Sequence, residues 1–306
     1  MSNKQPTRIK TISDFHRLRQ LPMPEHPLIS VINVADVKSP PGSAPTNFIY
    51  DFYSIALKRN CDVKFRYGQQ QYDFDDGTMF FISPQQVFGI EHGNNETERK
   101  SGWILLFHPD FLWHTSLAKS IKQYEYFDYS VHEALFLSEK EEAIMNNIVQ
   151  NIEQEYHSNI DKFSQDIIIA QLELLLNYAD RFYHRQFLTR KITNHQILDS
   201  LEEILSKYFD SDDLIKSGLP AVQDIAERLN VSPNYLSGLL KALTGQTTQQ
   251  HIHNKVIEKA KEKLSTTELS VSEIAYELGF EHSQSFSKLF KAKTNSSPLE
   301  FRASFN

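Results

Sequence analysis

The chain has 306 residues, a formal net charge of −7 at pH 7 and 40% hydrophobic residues. This length suits about two domains with separate cores, and the apolar content is ordinary for a globular protein. No apolar run approaches the ~20 residues of a membrane span, and the chain start lacks the apolar centre of a secretory signal. The single cysteine, Cys61, excludes an internal disulfide and a cysteine-based zinc site. We therefore expect a cytoplasmic protein without a membrane partner.

The chain from about 28 to 107 is predicted to form many short strands. Before it, His16 and His26 flank Pro22-Met23-Pro24 in an expected extended arm. Turn signals such as Asp75-Asp76-Gly77 and Ser83-Pro84 separate the β-branched and aromatic runs. These runs lie at 29–34, 48–57, 63–67, 78–83, 87–90 and 103–107. Their regular spacing predicts a sandwich or a small open barrel such as a jelly roll.

Two long helices are predicted after the strands. Apolar residues recur at helical spacing over 138–157 and 164–185. Ser138 together with Glu141 fits a capping box, and Ser164 is the candidate N-cap of the second helix. We expect these helices to form a hairpin that packs on the barrel or on a partner chain.

Composition then divides the chain. The polar and basic segment 186–195 is the predicted linker, which leaves an N-terminal domain at 1–185 and a C-terminal domain at 196–306. A helix over about 196–209 is expected to open the C-terminal domain, and the acidic segment 210–218 is predicted to be turn-like.

One pattern of residues occurs twice in the last third of the chain. The first copy comprises Ile225, Ala226, Leu229, Leu236, Ser237, Leu240, Lys241 and Thr244. The second comprises Ile274, Ala275, Leu278, Phe286, Ser287, Phe290, Lys291 and Thr294. The copies are offset by 49 residues before the predicted turn and by 50 after it. Each is typical of a helix, a tight turn and a second helix, and a helix over 248–265 is predicted to connect them.

Local signals support these helices. Ser232 followed by Pro233 is a strong helix start, and Gly245 is a typical helix end. Gly279 permits a positive φ in the second turn. In each copy the apolar residues of the two helices are expected to face each other, with Ala226 and Ala275 small enough to allow close approach.

Short residue pairs at fixed spacing carry a specific resemblance. They are Ile274-Ala275, Gly279-Phe280, Phe286-Ser287, Phe290-Lys291, Ser297-Pro298 and Phe301-Arg302. This set resembles the signature of the AraC/XylS family of bacterial transcription regulators, and the resemblance covers about the last 90 residues. It implies an all-α domain with two helix-turn-helix motifs that reads two successive major grooves of one DNA duplex.

The same resemblance implies the residues that contact double-stranded DNA. Asn234 and Gln284 are expected to form two-point hydrogen bonds with adenine edges. The other expected contacts are the adaptable hydroxyls and the basic groups on and beside the second helices: Ser237, Ser283, Ser285, Lys241, Lys288, Lys291 and Arg302. Of the basic groups, Lys241, Lys291 and Arg302 are expected to meet phosphates, which position a protein without specifying sequence.

Charge gives no independent support for DNA binding. Residues 218–306 contain ten Lys and Arg against nine Asp and Glu, so this region is nearly neutral. Non-specific attraction to phosphate scales with local positive charge. Binding must therefore depend on where the charges lie, and the lysines at 241, 288, 291 and 293 fall on or just after the second helices.

The N-terminal domain also resembles a known type, the cupin-like sensor domains of related regulators. The resemblance rests on Tyr67-Gly68, Tyr72-Asp73-Phe74, Gly77, Phe81 and Pro84. It implies a cupin-like barrel that binds a small effector and assists formation of a homodimer. The resemblance also implies RNA polymerase as a partner. We expect no catalytic residues, no metal and no cofactor, because the sequence has no Gly-rich phosphate loop, no Gly-x-Ser-x-Gly motif and no His-x-His pair in the strand region.

Two alternatives remain open. A metal-dependent cupin enzyme needs about three His and one carboxylate, commonly from a His-x-His pair on a barrel strand. The one such pair, His251-Ile252-His253, lies on the predicted connecting helix, where i and i+2 diverge. The second alternative is a DNA-binding regulator whose N-terminal domain binds a protein and no small molecule.

Overall fold

The structure is a computed structural model that divides into two compact units, Met1–Gln186 and Phe187–Asn306. The residues that it describes are 6–38, 46–59, 63–67, 70–72, 77–92, 101–129, 133–158, 163–189, 191–211 and 213–304. The first unit is rich in β-structure and the second is helical, as predicted. Across these ranges, every helix is too short or too polar to cross a bilayer.

Two five-stranded sheets form the first unit. One sheet has the strand order β1 (Thr7–Ile9), β3 (Thr46–Tyr50), β8 (Val87–His92), β5 (Val63–Tyr67) and β6 (Gln70–Tyr72). The other has the order β10 (Leu135–Phe136), β7 (Thr78–Ile82), β4 (Tyr53–Arg59), β9 (Ser101–Phe107) and β2 (Ile29–Asn33). Only β1 and β3 pair in parallel among the described strands. Since no described pairing joins the sheets, the predicted barrel is not closed.

An aromatic core lies between these sheets. Phe48, Tyr50 and Phe88 from one sheet share a buried cluster with Ala56 and Phe80 from the other. The Tyr50 and Phe88 rings meet edge to face, with centroids 4.7 Å apart. Alternation along each strand sends these side chains to the inner face. The unit is thus a sandwich, the other form that the strand spacing predicted.

Several local expectations for this unit need correction. The run 48–57 is two strands, because the chain turns at Asp51-Phe52. The expected extended arm begins with a helix, α1 (Ile12–Leu18), which buries His16. Strands β1, β6 and β10 had no strong sequence signal because each has only two or three residues. Cys61, Gly68, Asp73, Phe74, Asp75 and Asp76 lie outside the described residues.

Helices cover the outer face of the second sheet. After a short helix, α2 (Leu117–Ser120), come the predicted pair α3 (Glu139–Tyr156) and α4 (Ser164–Thr189). Ser138 and Glu141 form the predicted capping box at the start of α3. The Trp103 indole of β9 donates to Asn146 Oδ1 on α3 at 2.8 Å, which fixes that helix to the sheet.

Eight helices are described in the second unit. They are α5 (Lys191–Phe209), α6 (Asp213–Ser217), α7 (Val222–Leu229), α8 (Pro233–Thr244), α9 (Thr248–Thr266), α10 (Val271–Glu277), α11 (Ser283–Thr294) and α12 (Pro298–Ala303). Helix α6 corrects the turn-like prediction, since its Leu214 is an apolar anchor buried in the core. Helix α4 continues to Thr189 and α5 begins at Lys191, so the described residues of the predicted linker are helical. The domain boundaries stay a prediction.

Helix α9 belongs to both cores of this unit. Its first half contributes Ile252 and Val256 to a cluster with α5, α7 and α8. Its second half contributes Ile257 and Ala260 to a cluster with α10 and α11. Phe280 and Leu289 pack against both clusters. The two helix pairs, α7–α8 and α10–α11, are therefore held on one shared helix.

Candidate nucleic-acid interface

The turn of the first helix pair is set by local side chains. Asn230 ends α7 in the left-handed region, at φ 62°, a conformation that Asn tolerates. Ser232 then caps α8: its hydroxyl accepts a hydrogen bond from the Tyr235 amide at 3.2 Å, and Pro233 occupies the first turn. These two signals reverse the chain within three residues.

Apolar side chains lock this pair as predicted. Ile225 and Ala226 of α7 are buried in one cluster with Leu236 and Leu240 of α8. Leu229 packs against the same cluster. Ala226 has no exposed surface, which agrees with its expected place at the helix crossing. Because this face of α8 is occupied by the core, its opposite face is the one turned to solvent.

The second pair repeats the arrangement with a different turn. Ser270 and Glu273 form a capping box at the start of α10. Gly279 has φ +79° in the turn, as predicted. Ile274 and Ala275 are buried in one cluster with Phe286 and Phe290 of α11. The predicted facing of apolar residues is confirmed in both pairs.

The structure places most of the expected contact residues on open helix surface. Gln284, Ser285, Lys288 and Lys291 on α11 and Lys241 on α8 are exposed. Asn234 and Ser283, near the starts of the two helices, are half-buried. Gln284 has no side-chain hydrogen bond to any described residue, so its amide is available for a ligand.

Ser237 and Arg302 already have hydrogen-bond partners within the unit. The Ser237 hydroxyl lies 3.1 Å from the hydroxyl of the fully buried Thr248. The Arg302 guanidinium donates to the Leu264 carbonyl at 3.2 Å and to the Leu269 carbonyl at 2.7 Å. Leu264 lies in the last turn of α9, whose final carbonyls lack helical partners. Sequence reasoning missed these bonds, because nothing in the spacing joins such distant residues.

Ion pairs divide the lysines of this unit into two groups. On α9, Lys255 pairs with Glu258 at 3.1 Å, Lys259 with Asp210 at 2.8 Å, and Lys263 with Glu277 at 2.7 Å. Lys241, Lys288 and Lys291 have no carboxylate within 4.0 Å in the described part of the chain. Ion pairs therefore neutralise three of the four lysines of α9, with Lys261 the exception, whereas the lysines of α8 and α11 have no such partner.

The pKa values of three groups beside this surface, on α9 and α12, are lowered by their surroundings. The hydrogen bonds from Ser297 lower the pKa of Glu300, and the Lys291 charge adds to them. Burial lowers the pKa of His251 and His253 on α9. Lys293, which follows on α11, donates to Asn254 Oδ1 at 3.1 Å. The exposed face of α11 thus presents hydrogen-bonding groups first and ammonium groups towards its end.

Comparison with known proteins agrees with this geometry. Residues 225–304, which include α8, α10 and α11, match a family model described as a helix-turn-helix domain. The HTH-type transcriptional regulator YfiF of Bacillus subtilis (strain 168) is 26% identical over 268 residues, 83% of this chain and 77% of YfiF. The HTH-type transcriptional activator RhaS of Escherichia coli O1:K1 / APEC is 25% identical over 256 residues, 83% of this chain and 86% of RhaS.

A solved structure is similar to the C-terminal part. The C-terminal domain of AraT, a response regulator from Geobacillus stearothermophilus, is 32% identical, with a TM-score of 0.31. The match covers 35% of this chain and 84% of that one. The helix-turn-helix match coincides with the doubled motif, and both relatives extend over most of the chain. The chain therefore carries a helix-turn-helix domain of the AraC type at 225–304 and is a DNA-binding transcription regulator.

Proposed function

We propose that α7–α8 and α10–α11 are two helix-turn-helix motifs that enter successive major grooves on one side of a DNA duplex. Helices α8 and α11 are then the recognition helices. Helix α9 supports this spacing: its 19 residues span about 28 Å, close to the ~34 Å of one DNA turn.

The contacts divide by chemistry. Gln284 and Asn234 read base edges through their amides, and Ser283 and Ser285 act as adaptable donors and acceptors at the start of α11. Lys241, Lys288 and Lys291 meet phosphates. Ser237 and Arg302 act instead as positioning residues, since the structure gives their polar groups partners within the unit.

One observation carries this proposal: the lysines of α8 and α11 have no carboxylate within 4.0 Å in the described part of the chain, whereas three of the four lysines of α9 have one. A nearly neutral domain attracts a polyanion only if its positive charge is concentrated on one surface. Ion pairing on α9 reduces the competing positive charge of that helix to the charge of Lys261. Lys288 and Lys291 follow Gln284 by four and seven residues and so share its face of α11, where contacts with phosphates and with base edges are both needed.

Fluorescence anisotropy of the full chain against its own promoter region tests this proposal. Lys288→Ala should weaken binding to all duplexes and reduce the salt slope by about one. Lys207→Ala is the matched control, because Lys207 is exposed on α5 and paired with Glu203 at 2.5 Å. Equal effects of the two variants would contradict the assignment of α11.

Gln284→Ala separates base reading from phosphate attraction. It should cost about 1–3 kcal/mol at a specific site and relax the preference at one base position. Affinity for random duplex should stay the same. An unchanged base preference would reject Gln284 as a reading residue.

We infer that the N-terminal unit responds to a small molecule, as a cupin-like sensor domain. Its effector would bind one arrangement of the linked domains more tightly and so alter DNA engagement. Thermal-shift screening of metabolites tests this, because a ligand of the folded state raises the melting temperature. A unit that responds only to a protein partner would show no such shift.

We also propose a homodimer formed through α4. Ile167 and Leu174 are 45% and 43% exposed, and their spacing of seven residues places them on one helix face. Leu174→Glu should convert a dimer to a monomer in light scattering.

Contact with RNA polymerase is proposed from the resemblance to the AraC/XylS family alone, and transcription assays with purified polymerase would test it.

A further inference from the structure

A cavity of about 480 Å³ lies in the first unit, outside the sandwich core. It is formed by the start of β2, the segment after β9, and the facing ends of α3 and α4. Ile29 lines it, whereas Ile32, on the opposite face of β2, belongs to the core between the sheets. The cavity is therefore separate from the sandwich interior. Its volume suits a small organic molecule.

Aromatic side chains form much of its wall. Trp113 is 62% exposed, which is unusual for so large an apolar side chain. The buried Phe111 ring lies edge-on to the His26 ring, with centroids 5.6 Å apart. The buried Tyr156 adds a third ring, and its hydroxyl accepts a hydrogen bond from the Glu25 amide at 2.6 Å. Indole and phenyl faces attract cations as well as apolar groups.

The charge of the lining is negative. Asp110 and Glu155 both line the cavity, and no lysine or arginine is among the described residues around it. Glu155 has no ion-pair partner in the described ranges. The Asp110 carboxylate lies 3.4 Å from His108 Nδ1, which already accepts a hydrogen bond from the Asp110 amide.

The buried side of the wall contains His26, which does not offset this charge. Burial lowers the pKa of His26, and its Nδ1 accepts a hydrogen bond from the Leu28 amide at 3.1 Å. A ring held in this way is neutral near pH 7. His114 is exposed beside Trp113. An anion entering the cavity would meet two carboxylates and no fixed cation, whereas a cation would meet carboxylates and aromatic faces together.

We propose that this cavity binds a small organic cation, an ammonium group with an aromatic or alkyl body. The ammonium group lies between the Asp110 and Glu155 carboxylates and the Trp113 face. The apolar body packs on Phe111 and Ile168. This site gives a chemical class to the proposed effector, so its regulatory role rests on the proposed function. Binding of the amine to the cavity does not itself depend on DNA binding.

Isothermal titration of the full chain at pH 7.5 tests the proposal with three probes of similar shape. They are 2-phenylethylamine, which is a cation, 2-phenylethanol, which is neutral, and phenylacetate, which is an anion. The amine should bind about tenfold or more tightly than the alcohol, and the acid should not bind. Equal binding of the amine and the alcohol, binding of the acid, or binding of none would overturn the proposal.

Variants locate the binding site. Glu155→Gln and Asp110→Asn should each weaken amine binding about tenfold. Glu153→Gln is the matched control, because Glu153 is exposed on the same helix and does not line the cavity. Trp113→Leu, at an exposed position, should also weaken binding and abolish the quenching of tryptophan fluorescence by the amine. An equal effect of Glu153→Gln would place the amine elsewhere and overturn the site.

DNA binding measured in parallel separates this proposal from the proposed function. Specific promoter binding without amine binding would overturn the cavity assignment and leave the DNA-binding function in place. Amine binding with no specific DNA binding would do the reverse.

Discussion

The backbone of Gly279 lies directly against the backbone of Gly218. A β-carbon added to Gly279 would come within 2.9 Å of the Gly218 carbonyl carbon and within 2.9 Å of the Leu214 carbonyl oxygen. Gly279 also has φ +79°, which disfavours any side chain. This approach joins the turn of the second helix pair to the end of α6, and so to the half of the unit that carries the first pair.

Gly279→Ala should therefore lower both stability and DNA affinity. The alanine must adopt a left-handed backbone and displace two neighbouring main-chain groups, at a cost of about 2 kcal/mol or more. The displacement also alters how α11 sits relative to α8. Chemical denaturation measures the first effect and anisotropy the second.

Gly245→Ala is its matched control. Gly245 ends α8 with φ +74°, but an added β-carbon would meet nothing within 4 Å. Only the backbone penalty of about 1 kcal/mol is expected, with specific DNA affinity close to that of the native chain. If both alanine variants lose the same stability, the contact with Gly218 carries no energy.

The alanine variants of Arg302 and Lys291 should have different effects. The first should lower stability, and the second should lower the salt dependence of DNA binding. Arg302→Ala leaves the Leu264 and Leu269 carbonyls without their donors and should cost about 1–3 kcal/mol of stability. Its salt slope of DNA binding should not change. Lys291→Ala should preserve stability and reduce the slope by about one. A reduced slope for the Arg302 variant would return that residue to the phosphate contacts first expected of it.

A buried arginine in the N-terminal unit offers a test of packing. Arg19 is 4% exposed, its guanidinium lies over the Phe48 ring at 5.3 Å, and its Nε has no hydrogen-bond partner in the described structure. Its hydrogen bond to Tyr50 joins two buried polar groups. Arg19→Met alone should cost about 1–3 kcal/mol, because the tyrosine hydroxyl loses its partner.

The double variant Arg19→Met, Tyr50→Phe should be as stable as the native chain or more so. It replaces both polar groups with apolar ones of similar volume and removes the cost of burying a charge. Thermal unfolding of the two single variants and the double variant gives the interaction free energy between Arg19 and Tyr50. A double variant less stable than the native chain would show that the polar pair stabilises this core.

The stability of the N-terminal unit should fall as the pH drops below about 6.5. Burial lowers the pKa of His16, although its hydrogen bond to the Pro22 carbonyl acts in the opposite direction. Below the unfolded value of about 6.5 the unfolded chain binds a proton that the folded chain excludes. The contribution is therefore complete above that pH and is lost towards the folded pKa.

Denaturation between pH 5 and pH 8 measures this dependence. Burial also lowers the pKa of His26, so the stability of His16→Gln should still depend on pH to some extent. That variant should nevertheless show a shallower loss than the native chain. Identical slopes would mean that His16 does not contribute.

The C-terminal helices were predictable because their signals are local. Ser232-Pro233 and the glycines at 245 and 279 each act on the residues beside them, and the structure has the expected cap at Ser232 and positive φ at both glycines. The buried faces of α7, α8, α10 and α11 followed from apolar spacing alone. The contact between Gly279 and Gly218 could not be predicted, because it joins residues that no periodicity relates.

The candidate site was predictable as a face but not residue by residue. Exposure of Gln284 and Lys288 follows from the period of α11. The partners of Ser237 and Arg302 depend on how α9 packs against α8 and α12, which sequence spacing does not record. The same reason explains why the cavity beside Trp113 was missed: its wall comes from four separated segments.

The spacing of cleavage sites along DNA tests the central claim most directly. Lys241 and Lys291 hold equivalent positions in the two copies, so each can be changed to cysteine in a Cys61→Ser background and coupled to an iron chelate that cleaves nearby DNA. When bound to the promoter, each labelled variant should cut the DNA of each binding site around one central position. The two centres should lie about ten base pairs apart on the same face of the duplex. Coincident centres, or cleavage from only one of the two positions, would contradict reading by both helix pairs.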